Sequence, residues 1–157
     1  MKKILIALDY DPSAERVARE GYALADSMNA QVILVHVMAD GSYYLPLDLS
    51  PVMGFSGIPP VDPLDAEGLD KLRESAREYL QHIKEYLRAA NIQTLVLEGE
   101  LAPSILQAAR HEHADIIVVG THGRGALEEL MMGSVTKKLI KDSEIPLFVI
   151  PTRVKKG

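Results

Sequence analysis

Short, unbroken apolar runs alternate along this chain with longer stretches whose apolar residues recur at three- and four-residue intervals. The runs are Ile4-Leu5-Ile6-Ala7-Leu8, Val32-Ile33-Leu34-Val35-His36-Val37, Thr94-Leu95-Val96-Leu97, residues 115–119, and Leu147-Phe148-Val149-Ile150, the last held between Pro146 and Pro151. Each reads as a strand covered on both faces, since a strand with one wet face would alternate apolar and polar residues. The first helical stretch opens on Asp11-Pro12, an N-cap candidate followed by proline at the first helical position. It continues through Val17, Gly21, Leu24 and Met28, with Ala14, Ala18 and Ala25 beside them. Residues 67–91 form the most regular helix, with Leu69, Leu72, Ala76, Leu80, Ile83, Leu87 and Ala90 on one face. Pro103–His113, carrying Ile105, Leu106 and Ala109, and residues 133–142 supply two more helices.

This alternation of strand and helix predicts an α/β fold: an open, five-stranded parallel sheet with helices on both faces. Such sheets bind ligands beyond the carboxyl ends of their strands, beside a topological switch point. Asp9, Val37 and Gly120 all fall at strand carboxyl ends. One stretch breaks the pattern. Residues 39–66 contain five prolines and three glycines without periodicity. A mobile surface loop is expected there; the alternative is a flap or oligomer contact anchored by Tyr43, Tyr44, Met53 and Phe55.

Composition narrows the classes. A chain of 157 residues fits one domain spanning 1–157 and buries roughly 68–70% of its unfolded surface. Charged residues are 25% and hydrophobic residues 47% of the chain, ordinary values for a globular protein. A net charge of -5 gives no general attraction to nucleic acid or an anionic membrane. With no cysteine, disulfides, thiolate metal sites and thiol catalysis are excluded, which accords with a cytoplasmic setting. The start, MKKILIALDYD, is leader-like only until Asp9 and Asp11 interrupt it. No apolar run approaches the ~20 residues of a membrane helix.

The chemistry concentrates in Gly120–Thr136, GTHGRGALEELMMGSVT. Glycines at a strand end let backbone N–H groups approach a ligand closely, and Gly133-Ser134-Val135-Thr136 opens a helix, where unpaired N–H groups and the dipole favour an anion. The hydroxyls of Ser134 and Thr136 can add donors. Arg124 can pair with a terminal phosphate or stay solvated. Lys137, Lys138 and Lys141 read as complements to the helix dipole. His111 and His113, two apart on a helix, do not share a face and make a poor metal pair. His82 reads as a surface residue and His36 as a buried, hydrogen-bonded one.

The pattern Gly120-x2-Gly123-x9-Gly133-Ser134 resembles the nucleotide-binding motif of the universal stress protein family, in its ATP-binding branch. KKILIALD, VILVHV, DIIVVGTHG and SEIPLFVIP resemble that family too, so the likeness covers nearly all of the chain outside residues 39–66. It implies a Rossmann-like sheet of strand order 3-2-1-4-5 and a site for ATP, with Mg²⁺ accompanying the phosphates. Asp9 would hydrogen-bond adenine or ribose, Val37 would offer its backbone to the adenine edge, and Ala7 and Val119 would lie by the ribose. Gly120, Gly123, Arg124, Gly133, Ser134, Val135 and Thr136 would hold the phosphates. The resemblance further implies a homodimer through Leu147–Ile150, an apolar edge strand open to pairing. The function implied is that of an ATP-binding stress sensor or regulator with at most slow hydrolysis. The alternative is an interaction module that takes AMP, cyclic AMP or no nucleotide.

Rival nucleotide folds lack their signatures here. There is no Gly-x4-Gly-Lys-Ser/Thr loop, and no Gly-x-Gly-x2-Gly after the first strand. LDYDPS does not match the Ser-Gly-Gly of ATP pyrophosphatases. A phosphoacceptor receiver needs an aspartate after the third strand and a lysine after the fifth, where this chain has Leu97-Glu98-Gly99 and Val149-Ile150-Pro151.

Overall fold

The computed structural model describes residues 1–38, 66–121 and 133–152. In chain order these form β1 (Lys3–Ala7), α1 (Ala14–Ser27), β2 (Gln31–Met38), α2 (Ala66–Leu87), β3 (Ile92–Glu98), α3 (Leu101–His111), β4 (Ile116–Gly120), α4 (Ser134–Asp142) and β5 (Leu147–Ile150). The strands make one five-stranded sheet, parallel throughout, in the order β3-β2-β1-β4-β5. This is the expected architecture. Of residues 39–66, where a loop was expected, 39–65 lie outside the described residues and Ala66 already belongs to α2.

The unbroken apolar runs divide between two cores because successive side chains point to opposite faces. Ile4 and Ile6 of β1, Leu34 of β2 and Val118 of β4 join α1 and α2 on one face. Leu5, Val35, Ile117 and Val119 join α3 and α4 on the other. Gly21 lets α1 sit close to the sheet: a Cβ there would lie 2.8 Å from Ile6 Cδ1 and 3.1 Å from Val118 Cγ1.

Element ends differ from the sequence reading for local reasons. The regular part of α1 starts at Ala14, after a turn closed by the Ala14 N–H on Asp11 O at 2.9 Å. Asp11 still takes the Ser13 N–H at 2.9 Å, the bond expected of a cap ahead of Pro12. Helix α3 begins before Pro103, which sits in the first turn, where its missing N–H costs nothing. Helices α1 and α3 both end in left-handed residues, Asn29 at φ 52° and His113 at φ 57°. Each is followed by an N–H that reaches back five residues, Ala30 to Ala25 O and Ala114 to Ala109 O, both at 2.8 Å. His113 therefore lies outside the helix that holds His111. Helix α2 stops at Leu87 rather than 91, with Arg88 at φ 54°, and the chain turns straight into β3.

Candidate functional site

From β1 the chain builds outward through β2 to β3, and on the other side β4 and β5 follow. The ends of β1 and β4 are thus neighbours whose exits diverge, which is the switch point of an open sheet. Asp9 follows β1 and Gly120 ends β4. Ala7, Val37 and Val119 belong to the same core face, under α3 and α4; Val37 and Val119 are buried and Ala7 half-buried.

The amino end of α4 is fastened to the end of β4. The Gly133 N–H donates to Thr121 O at 2.8 Å, and the Thr136 hydroxyl donates to Gly120 O at 2.7 Å. Thr121 in turn donates its N–H to Ile150 O at 2.9 Å, and its Oγ1 accepts the Thr152 N–H at 3.1 Å. One residue thereby joins the ends of β4 and β5 to the start of the helix. The first intrahelical bond of α4 runs from the Lys137 N–H to Gly133 O at 3.0 Å. The N–H groups of Ser134, Val135 and Thr136 stand ahead of it, at the positive end of the helix dipole.

Two sequence expectations change in detail. Thr136, expected to offer its hydroxyl to phosphate, is only 4% exposed and gives its single hydroxyl proton to the strand. Gly133 has φ −59° and ψ 151°, which any residue can adopt, and its N–H is engaged by Thr121. What α4 presents outward is the exposed Ser134 side chain and the leading backbone amides. Gly123 and Arg124, with His122, lie outside the described residues. Lys137, Lys138 and Lys141 are exposed on α4, and His82 on α2.

Beyond β1 the chain leaves the ladder, the Leu8 N–H making its bond to Val35 O at 2.8 Å. Asp9 Oδ1 accepts the Asp11 N–H at 3.0 Å. Its carbonyl accepts the hydroxyl of Tyr79, from α2, at 2.6 Å. The preceding carbonyl, Leu8 O, lies 2.9 Å from Nδ1 of the buried His36, so that nitrogen carries the proton. The Tyr10, His36 and Tyr79 rings meet beneath this turn at centroid distances of 4.4, 4.9 and 5.9 Å. Burial, helped by Asp9, Tyr10, Asp11 and Glu15 nearby, pushes the Tyr79 phenol far above its ordinary range, so it remains a donor. The sequence reading missed Tyr79. It lies three residues after Ala76 and four before Ile83, on the same helical stripe, and a core tyrosine usually finds a partner for its hydroxyl.

Among the described residues no cluster of His, Asp or Glu is placed to hold a metal ion, and no helix is long and apolar enough to cross a membrane. Known proteins share both the sequence and this architecture. The chain is 30% identical over 152 residues to universal stress protein MJ0577 of Methanocaldococcus jannaschii, covering 95% of this chain and 94% of that one. The solved structure of hypothetical protein MJ0577 matches it with a TM-score of 0.75 at 28% identity, over 99% of this chain and 98% of that one. A universal stress protein in complex with cyclic AMP shares the fold at a TM-score of 0.60 and 17% identity, over 96% of this chain and 97% of that one. One from Archaeoglobus fulgidus in complex with dAMP does so at 0.61 and 20%, over 96% and 98%. The model of the universal stress protein family matches residues 1–151, and with the strand order and the Gly120–Ser134 spacing in agreement, this chain belongs to that family.

Proposed function

We propose that this protein binds ATP at the β1/β4 switch point and acts as a stress-response regulator or sensor, with at most slow hydrolysis. The observation that carries this reading is the amino end of α4. It is tied through Gly120 and Thr121 to the end of β4, the strand that pairs with β1, and it carries an exposed Ser134 and the leading amides. Helix amides at a switch point suit phosphate. In this reading Ala7, Asp9, Val37 and Val119 take the adenosine, and Gly120, Gly123, Arg124 and the Gly133–Thr136 turn take the phosphates. Thr136 acts there through its backbone. Mg²⁺ would be carried mainly by the phosphate oxygens. Exposed Phe148 on the edge strand β5 supports a homodimer through Leu147–Ile150. The cysteine-free sequence is compatible with the cytoplasm, where we place this activity.

A second reading, with AMP or cyclic AMP as the ligand, is favoured by the relatives that hold cyclic AMP and dAMP. Calorimetry with ATP, AMP and cyclic AMP separates the two. ATP binds tightest on the first reading, and Gly133→Ala lowers its affinity about tenfold or more, which corresponds to about 1.4 kcal/mol. Alanine is allowed at the Gly133 φ and ψ, so the variant folds, and a loss of binding reports on the room at the phosphate end. Equal, weak binding of all three ligands removes the ATP reading.

A further inference from the structure

After the Leu8 N–H makes its last bond to β2, the chain turns away from the sheet, and the carbonyls of Leu8 and Asp9 are held by buried side chains from elsewhere in the chain. His36 of β2 donates to Leu8 O at 2.9 Å, and Tyr79 of α2 donates to Asp9 O at 2.6 Å. The two donors are 3% and 0% exposed, and Tyr10, 5% exposed, packs between their rings. Neither donor is on the face that carries Ala7, Val37 and Val119. Tyr79 belongs to the opposite core, under α1 and α2, so the grip comes from behind the sheet.

We propose that Tyr79, with His36 beside it, is a positioning residue for the adenosine end of the site: it fixes the backbone of Asp9, and through that backbone the direction of the Asp9 carboxylate. The inference rests on the nucleotide-binding reading above. A carboxylate that selects adenosine by hydrogen bonds must be held within a fraction of an ångström and a few tens of degrees, and rigid outer partners supply that. A carbonyl gripped by a buried phenol meets the need, because rotation of the Asp9 peptide would break a bond that water cannot easily replace. The carboxylate is held a second time by the Asp11 N–H at 3.0 Å. Loss of the Tyr79 bond frees the peptide at the root of that turn.

The test uses the full chain and the conservative change Tyr79→Phe, which deletes one oxygen. Calorimetry is run with adenosine, AMP and ATP at a temperature where circular dichroism shows both proteins folded. All three affinities are expected to fall by one common factor, about five- to tenfold, because the defect lies at the part they share. Gly133→Ala is the contrast, since it weakens ATP and spares adenosine. Hydrogen exchange in the free proteins adds a readout independent of ligand: the Asp11 amide exchanges at least about tenfold faster in Tyr79→Phe, while strand amides such as Ile6 keep their rates. Unchanged affinities in a folded Tyr79→Phe overturn the inference while leaving the nucleotide site standing. A loss that appears for ATP and not for adenosine also overturns it. If the unaltered protein binds none of the three, the site reading fails and this inference falls with it. Should Tyr79→Phe not fold, His36→Gln takes its place, with the same common loss expected and the same outcomes decisive.

Discussion

Replacing Thr136 by valine separates two roles that the sequence alone does not distinguish, a ligand donor and an internal tie. The side chain keeps its shape and loses its hydroxyl, which here donates to Gly120 O at 2.7 Å from a residue 4% exposed. A buried neutral hydrogen bond contributes about 0.5–1.5 kcal/mol net, and leaving its acceptor dry raises the cost to about 1–3 kcal/mol. The isosteric methyl does not offset this, since valine for threonine conserves volume and not polarity. For a chain of this length each kcal/mol lowers Tm by about 2–4 °C, so a fall of about 2–12 °C is expected. Urea unfolding of the ligand-free protein measures it directly, as a lower midpoint at unchanged slope. Thr136→Ser, which retains the hydroxyl, recovers most of the difference. A Thr136→Val protein as stable as the original, but unable to bind ATP, would show that the hydroxyl faces ligand and would refute the tie.

Two further outcomes concern regions away from the site. Asp115 accepts the Lys3 N–H at 2.9 Å and lies 3.6 Å from the Lys2 ammonium, and chiefly the first of these holds its carboxyl below the usual carboxylate range. With the folded pKa below the unfolded value of about 3.9, the carboxylate stabilises the protein above that pH and ceases to do so as pH falls through the folded value. Melting curves from pH 7 to pH 2 should therefore show Asp115→Asn less stable than the original near neutrality and converging with it in acid; a gap that widens in acid contradicts this. On the β5 edge, Phe148 is 40% exposed, and Phe148→Lys should shift a micromolar dimer to monomer in sedimentation velocity, while a monomeric unaltered protein refutes pairing through β5.

The fold was legible because a parallel sheet covered on both faces demands continuous apolar strands, and Ile4-Leu5-Ile6 or Ile116-Ile117-Val118-Val119 admit few other readings. The proposed place of the site follows from a related reason, since the glycine and hydroxyl residues come directly after a strand and directly before a helix. Partners were not. Thr136 reads equally well as a donor to phosphate or to a carbonyl sixteen residues back, and only the docking of α4 on β4 decides. Tyr79 meets Asp9 across 70 residues, a pairing that no local pattern encodes. Helix ends were misplaced where capping depends on a left-handed residue without a glycine to announce it, as at Arg88 and His113.

The bond from Gly133 to Thr121 O has a consequence for how such a chain can change over time. It brings together Thr121 and Gly133, the two residues on either side of 122–132. When the ends of a segment already meet, added length costs only logarithmically, about 0.6 kcal/mol for each doubling. The ties that Thr121 makes to Ile150 O and Thr152 N–H lie on the strand side of this closure. Over evolutionary time the number of residues between Thr121 and Gly133 can therefore change at a small cost in closure entropy.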